Sequence, residues 1–493
     1  MTEQPLTEFQ APFPSTSTRV IPVVIIPGDG IGPEVTSAAR CVLDLATAGA
    51  ITWVEAEAGA VVFARGDQSG VPAATRDVIA TYGVAFKGPL ETPIGSGAKS
   101  ANVTLRKLFG LYGNVRPARE LPGVGGVFAG RGLDLCVVRE NVEDLYAGIE
   151  HLEAPGVAQA LKVMTKEGCE RIVRLAFELA RSQGRRRVEV VTKANILKLT
   201  EGMLLEAYRS IAPEYPEFIH GELLVDNCAH QLVIRPEHHD VLICSNLHGD
   251  IISDLTSGLV GGLGVAPSAN LGDGVAIFEP VHGSAPDIAG RDLANPTAAI
   301  LAGALLLRHL GLTAAADAVE GAIGATLTAG IRTTDLDPAG VSCSAFAAAV
   351  CERLTAPASG AQKLQAPSVV RSECATEVVP AVHREDAGID IFIEWRGTTT
   401  ELRRHITRAT LTSGEAFELT LLALLGNKVW PDGPDQLEGV VCARFTTALQ
   451  GRAWATASSQ LLAALGEELT WVHVERLSRF DGTRGWTLAQ GER

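Results

Sequence analysis

Apolar positions along the chain switch between short β-branched runs and longer stretches with helical spacing. Residues 20–26 form a β-branched run that stops at Pro27-Gly28-Asp29-Gly30, and Pro33 and Glu34 then open a helical pattern that reaches about Ala48. The same alternation predicts strands at 52–57, 84–86, 133–138, 188–191 and 241–244, with helices at 168–182 and 195–211. Strands alternating with helices specify an α/β architecture. The most apolar stretch, 298–307, ends at Arg308 and His309, about half the length a membrane-crossing helix needs, and predicts a buried helix. From 355 to 382 the composition turns to Ala, Pro, Ser and Gln, which is linker chemistry. Beyond it the pattern predicts a strand at 388–395, a helix at 398–411, strands at 417–424 and 440–447, a helix at 453–469 and a strand at 470–477. That order, βαββαβ, is the ferredoxin-like pattern.

Composition narrows the function classes. The 493 residues carry 42 Lys plus Arg against 57 Asp plus Glu, a net charge of −15, which is the wrong sign for a nucleic-acid binder. An anionic ligand must therefore meet a local basic pocket. The nine cysteines show no CxxC pair, so neither a zinc site nor a disulfide framework is indicated and a reducing compartment fits. The first 19 residues lack the basic and apolar regions of a secretory signal, which predicts a cytoplasmic protein without membrane attachment.

Several motifs could carry chemistry. Gly28-Asp29-Gly30-Ile31-Gly32 is spaced G-x-G-x-G, not G-x-G-x-x-G, and reads more readily as a strand-to-helix turn than as a dinucleotide fingerprint. The Gly/Ser loop from Lys87 runs into a helix bearing Ser100, Asn102 and Arg106, where backbone N–H groups welcome an anion. With Arg116 and Arg139, three guanidinium forks could grip a small polycarboxylate, although any one arginine taken alone reads more readily as solvated or paired. Tyr146 lies in the polar loop that follows Arg139. Lys193 ends another apolar strand, either as a surface residue or as a partly desolvated acid/base. Asp250 and Asp254 share one helix face, where like charges repel unless a cation lies between them; one of them could instead be a helix cap. Asp226, at the end of a further strand, could add a third carboxylate, and oxygen-only ligands point to Mg²⁺ or Mn²⁺.

Together these stretches, from about 20 to 353, resemble the decarboxylating β-hydroxyacid dehydrogenases, the isocitrate and 3-isopropylmalate dehydrogenases, and most of all the long bacterial isocitrate dehydrogenases with an extra C-terminal domain. The resemblance implies that family's own α/β fold, not the Rossmann fold. It implies a discontinuous large catalytic and cofactor domain (1–118 and 262–354) and a small domain with the dimer interface and metal site (119–261). The linker (355–382) and a small α+β ferredoxin-like C-terminal domain (383–493) complete the chain. By the same resemblance Ser100 and Asn102 hydrogen-bond the extra carboxylate of isocitrate, while Arg106, Arg116 and Arg139 hold the substrate carboxylates. Asp250, Asp254 and, from a second copy of the chain, Asp226 ligate Mg²⁺ or Mn²⁺. Tyr146 and Lys193 form the acid/base pair, Lys193 again crossing the dimer. The cofactor would meet Thr92, Glu279, His282, Gly283, Ser284, Ala285, Pro286, Asp287, Ile288 and Asn295.

Members that use NADP generally have Lys-Tyr where this chain has Asp287-Ile288, and a later Tyr and Arg that Leu336-Asp337-Pro338-Ala339 lacks. Asp287 would accept hydrogen bonds from the ribose and repel a 2′-phosphate, so NAD is the expected cofactor. The expected partners are a tricarboxylate substrate and a second copy, as a homodimer with shared active sites or a higher oligomer. Competing readings are a dehydrogenase of 3-isopropylmalate or another 3-substituted malate, and a non-catalytic regulatory subunit. A phosphate on Ser100 would sit where a substrate carboxylate belongs and repel it.

Overall fold

The computed structural model describes residues 20–91, 100–126, 128–354, 382–431 and 433–492. Two compact units emerge, 1–147 with 162–372 and 148–161 with 373–493.

The larger unit is built on one ten-stranded sheet. Its order is Ile51–Glu55, Ile21–Ile26, Val84–Lys87, Ala276–Pro280, Pro267–Leu271, Gly113–Arg119, Asp134–Glu140, Val241–Cys244, Arg187–Thr192 and Ile219–Leu224. Both wings are parallel and the centre is antiparallel. Parallel strands must be covered on both faces, which is why 20–26 and 241–244 read as continuous apolar runs rather than as alternating ones. Helix Lys166–Gln183 shows how the covering is encoded: Cys169, Ile172, Val173, Ala176, Phe177 and Ala180 fall on one buried stripe. Thr165 accepts a hydrogen bond from the Gly168 N–H to start this helix, and Gly184, at φ 66°, ends it in the left-handed conformation. Helix Thr297–His309, the expected buried helix, is apolar on nearly every side and packs among Gly32–Ala46, Thr313–Thr328 and the central strands.

The register of the antiparallel centre decides where polar groups meet. Glu279 pairs with Ser268, Asn270 with Asn114, and Asn114 with Arg139, and cross-strand partners share a face of the sheet. Arg116 lies two residues from Asn114 and joins the same face. A row of polar side chains thus crosses an otherwise apolar sheet.

The turn at 28–32 is a close backbone approach. A Cβ on Gly30 would stand 2.0 Å from the Ser284 carbonyl oxygen, and Gly30 has φ 59°. The buried Asp29 carboxylate accepts from the N–H groups of Ala60 (3.0 Å) and Glu91 (2.8 Å). These residues clamp a strand-to-helix turn.

The second unit carries a six-stranded antiparallel sheet, ordered Asn427–Trp430, Glu418–Leu424, Gln436–Thr446, Arg384–Thr398, Trp471–Phe480 and Thr483–Arg484, with helices Thr399–Thr412 and Gly451–Gly466 on it and a core of its own. A capping box between Thr398 and Glu401 starts the first helix. The βαββαβ order is present, with the short edge strands at 427–430 and 483–484 added to it. The hairpin Glu150–Ala154/Val157–Ala160, from the middle of the chain, belongs to this unit and contacts Trp471–Phe480. Its strands of five and four residues are too short to show a periodic pattern and were not expected. Helices Ala60–Ala64 and Ala73–Tyr82 are likewise additions, and Asp226 sits in the first turn of helix Val225–Ile234 rather than at the end of a strand. Among the described residues no helix is long and apolar enough to cross a membrane.

Candidate active site

The polar row on the central strands forms the floor of the site. Arg139 is almost fully buried; its Nε and Nη2 donate to Asn246 Oδ1 at 3.0 and 2.7 Å, and its Nη1 pairs closely with Asp250. Arg116 donates from Nε to Asn114 Oδ1 (2.7 Å) and from Nη1 to Ser253 Oγ (2.8 Å), with Asp250 and Asp254 at 3.3 and 3.4 Å. Arg106, on helix Ala101–Leu108, reaches Glu279 at 3.6 Å. Burial among like charges lowers the Arg116 pKa to about 10, and burial lowers that of Arg106. A fixed group of cations short of full neutralisation is a site that an anion stabilises.

Helix Asn246–Leu259 supplies the acidic counterpart. Asp250 and Asp254 are one turn apart on its partly exposed face. Burial opposes ionisation of Asp250, but Arg139, the Tyr146 hydroxyl and Arg116 outweigh it and lower its pKa; for Asp254 burial prevails and raises it. Tyr146, on the 3₁₀ turn Leu145–Ala147, donates its hydroxyl to Asp250 at 2.5 Å, while the Arg139 guanidinium lies 4.9 Å from its ring centroid. Burial raises the Tyr146 pKa, so its proton is retained. Two carboxylates offering only oxygen suit Mg²⁺ or Mn²⁺. Among the described residues, however, no three acidic, histidine or cysteine side chains converge on one metal position.

Lys193 and Asp226 form a separate pair, Nζ to Oδ1 2.7 Å. Behind them lies Glu201, fully buried, which sequence reasoning missed. Its carboxylate accepts from the Lys193 N–H (3.0 Å), the Ser245 hydroxyl (2.8 Å) and Lys162 Nζ (2.8 Å), with His248 Nδ1 at 3.3 Å. Burial opposes its charge, but His248 and Lys162 hold the pKa near 2. Lys162 also pairs with the buried Asp144, whose other oxygen accepts from the Leu247 N–H at 2.9 Å. One ionic junction therefore joins the Lys193 strand end, the start of the Asp250 helix and the Tyr146 turn.

Ser100 is the N-terminal flanking residue of helix Ala101–Leu108, and the buried Asn102 Oδ1 accepts no hydrogen bond from a described residue. Of the residues assigned to the cofactor, Thr92 lies outside the described residues. Glu279 is buried as the counterion of Lys87 and Arg106 and accepts from Asn270 Nδ2 at 2.7 Å. Burial opposes its ionisation, yet the two cations bring its pKa to about 2. Lys87, Asn114, Asn246 and Asn270 were not assigned a role in the sequence; for Lys87, Asn114 and Asn270 a charged or amide residue within a strand was the available signal, whereas Asn246 opens a helix. Asn295 is committed to Thr297 N (3.0 Å) and Asp335 (3.0 Å). His282 keeps a buried Nε2 without a partner, its Nδ1 lying 3.0 Å from the Gly283 carbonyl, and Ser284 donates to Glu91 at 2.9 Å. An unsatisfied ring nitrogen beside the exposed turn of Gly283, Pro286 and Asp287 suits a polar ligand such as a nucleotide.

Two relatives match the chain along nearly its whole length. A Thermus thermophilus protein named isocitrate dehydrogenase [NADP] is 46% identical over 482 residues, covering 95% of this chain and 96% of the relative. A Rickettsia conorii protein of the same name is 34% identical over 483 residues, covering 96% and 99%. A crystal structure of a Thermus thermophilus protein superposes with a TM-score of 0.89 at 45% identity, covering 96% of each chain.

These relatives overturn the expectation that NAD is preferred to NADP, because both are named as NADP enzymes. The expectation rested on repulsion by Asp287. That residue is exposed on a turn and accepts no hydrogen bond from a described residue. A solvated carboxylate free to change rotamer, and screened by salt, is no fixed barrier to a phosphate.

Residues 22–350 match the family model described as isocitrate/isopropylmalate dehydrogenase, and residues 384–492 match the bacterial isocitrate dehydrogenase C-terminal domain. The chain thus belongs to the isocitrate/isopropylmalate dehydrogenase family and carries that bacterial C-terminal domain.

Proposed function

We propose that the chain oxidises and decarboxylates isocitrate to 2-oxoglutarate and carbon dioxide, with a nicotinamide nucleotide as hydride acceptor and a divalent cation. The observation that carries this reading is the meeting of Arg106, Arg116 and Arg139 beside Asp250, Asp254 and Tyr146. Ser100 and Asn102 on the adjoining helix favour a third carboxylate over the apolar group of isopropylmalate. The names of the full-length relatives favour NADP as the acceptor.

The arginines would exchange Asp250 for substrate carboxylates, which frees that aspartate and Asp254 to hold the cation. When bound, the cation supplies Lewis-acid polarisation of the substrate oxygen, and the nicotinamide accepts the hydride. Lys193, with Asp226, would draw off the hydroxyl proton. Tyr146, whose proton is retained, would deliver one to carbon after carbon dioxide leaves. Because Lys193 and Asp226 form their own cluster, we assign them to the site of a second copy, giving a dimer with shared active sites. Initial rates with isocitrate and with 3-isopropylmalate, each with NADP⁺ and NAD⁺, with and without Mg²⁺, test the proposal. Turnover of isopropylmalate without isocitrate would discard it.

A further inference from the structure

Among the described cysteines, five are buried, Cys351 and Cys442 are intermediate and Cys41 alone is exposed. Cys41 is also in contact with another thiol. Its Sγ lies 3.8 Å from Cys351 Sγ, across a sequence separation of 310 residues. Cys41 belongs to helix Gly32–Ala46 and Cys351 to helix Cys343–Glu352, which pack side by side. Both helices also begin against the loop proposed to hold the nucleotide: the Ile31 N–H donates to the Ser284 carbonyl (2.8 Å) and the Cys343 N–H to that of Asp292 (2.9 Å).

We infer that Cys41 and Cys351 form a peroxide-responsive pair that closes to an intrachain disulfide. The sulfurs need only approach by about 1.8 Å to reach a bond length of about 2.05 Å, a change that side-chain rotation on two packed helices can supply. Cys41 is the attacking member. It is the more exposed of the two, so peroxide reaches it first, and the contact with the Cys351 sulfur lowers its pKa to about 6 against burial and the charge of Asp44. Cys351 is shifted the other way, first by the same contact and then by burial, and stays protonated as the resolving thiol. The Cys41 thiolate attacks a hydroperoxide oxygen, breaking the O–O bond and leaving a sulfenic acid and, from hydrogen peroxide, hydroxide, which takes up a proton to become water. The Cys351 sulfur then attacks the Cys41 sulfur, the S–S bond forms, and the sulfenic oxygen leaves as water with the Cys351 proton. Two thiols lose two electrons, and one peroxide is reduced to two waters.

The full-length chain, treated with hydrogen peroxide in native buffer, is expected to lose two titratable thiols and about 2 Da of mass. A Cys41–Cys351 linked peptide should appear in the digest and vanish after dithiothreitol. The oxidised protein should also melt several degrees higher than the reduced one, because the closed loop is very long. In Cys351→Ser the linked peptide should be absent and Cys41 should be trapped by dimedone; in Cys41→Ser, an exposed and mild change, neither product should form. Unchanged thiols, a gain of about 32 Da on Cys41 as sulfinic acid, or pairing of Cys41 with Cys374 or with a second chain would each overturn the inference.

Discussion

Replacing Glu279 by Gln removes the carboxylate that pairs with Lys87 and Arg106 while preserving its shape. Lys87 is 2% exposed and has no water to turn to. Breaking a buried pair by deleting one partner costs about 3–5 kcal/mol, because the remaining charge stays desolvated. Linkage gives a similar figure. The Glu279 pKa of about 2, against an ordinary 4.5, corresponds to about 3.5 kcal/mol at roughly 1.4 kcal/mol per unit. The sign follows from the direction of the shift. A depressed carboxylate contributes fully above about pH 4.5, and that contribution drains away as the pH falls toward 2. Wild-type protein should therefore lose stability over this window, while Glu279→Gln should already be weaker at pH 7 by about 3.5 kcal/mol and show a flatter acid limb. Urea unfolding measures both. Five of the six tryptophans, all but Trp53, lie in the C-terminal unit, so far-UV circular dichroism must accompany fluorescence to follow the larger unit. Adding Lys87→Met should recover part of the loss, since removing both partners costs less than removing one. A single-variant cost below about 1 kcal/mol, or a double variant as unstable as the sum of the two singles, would refute the account of Glu279 as an obligatory counterion.

Tyr146→Phe and Lys193→Met should each abolish most turnover, yet co-refolding the two inactive chains in equal amounts should restore about a quarter of the wild-type rate, because half of the dimers then hold one intact site. No recovery on mixing would confine both residues to a single chain's site. Glu201→Gln should lower kcat by about tenfold or more with little change in KM, because it loosens the backbone behind Lys193 and the start of the Asp250 helix; a raised KM with unchanged kcat would contradict that role. Removing divalent cations with EDTA should stop isocitrate oxidation, with Mg²⁺ or Mn²⁺ restoring it and Ca²⁺ restoring far less. Turnover that survives chelation would remove Asp250 and Asp254 from the metal role.

The α/β wings and the βαββαβ order of the C-terminal unit were legible because their cores rest on local periodicity: β-branched runs for the strands, and an unbroken buried stripe for helices such as Lys166–Gln183. The arginines and aspartates were singled out by their spacing and by the family resemblance. Asn114 and Asn270 were not, and Glu279 was assigned to the cofactor rather than to Lys87 and Arg106, because what makes these residues partners is the register of antiparallel strands far apart in sequence. Glu201, Lys162 and Asp144 meet through tertiary packing that no window of sequence contains. The hairpin at 150–160 hid for a different reason: its strands have only five and four residues, and the strand that the first of them contacts, Trp471–Phe480, comes far later in the chain. Cofactor choice was misread at Asp287, where an exposed side chain's position, not its identity, sets the outcome.

That hairpin also bears on how the protein withstands proteolysis. The C-terminal unit is closed by two pieces of chain, 148–161 and 373–493, with Glu153 lying 3.8 Å from His473. A cut anywhere in 355–381 severs the peptide path to the tail, but the hairpin remains tethered through both its ends and still grips strand Trp471–Phe480. The severed tail behaves as a docked fragment, so a nicked protein should run as two bands in detergent and as one species in native buffer.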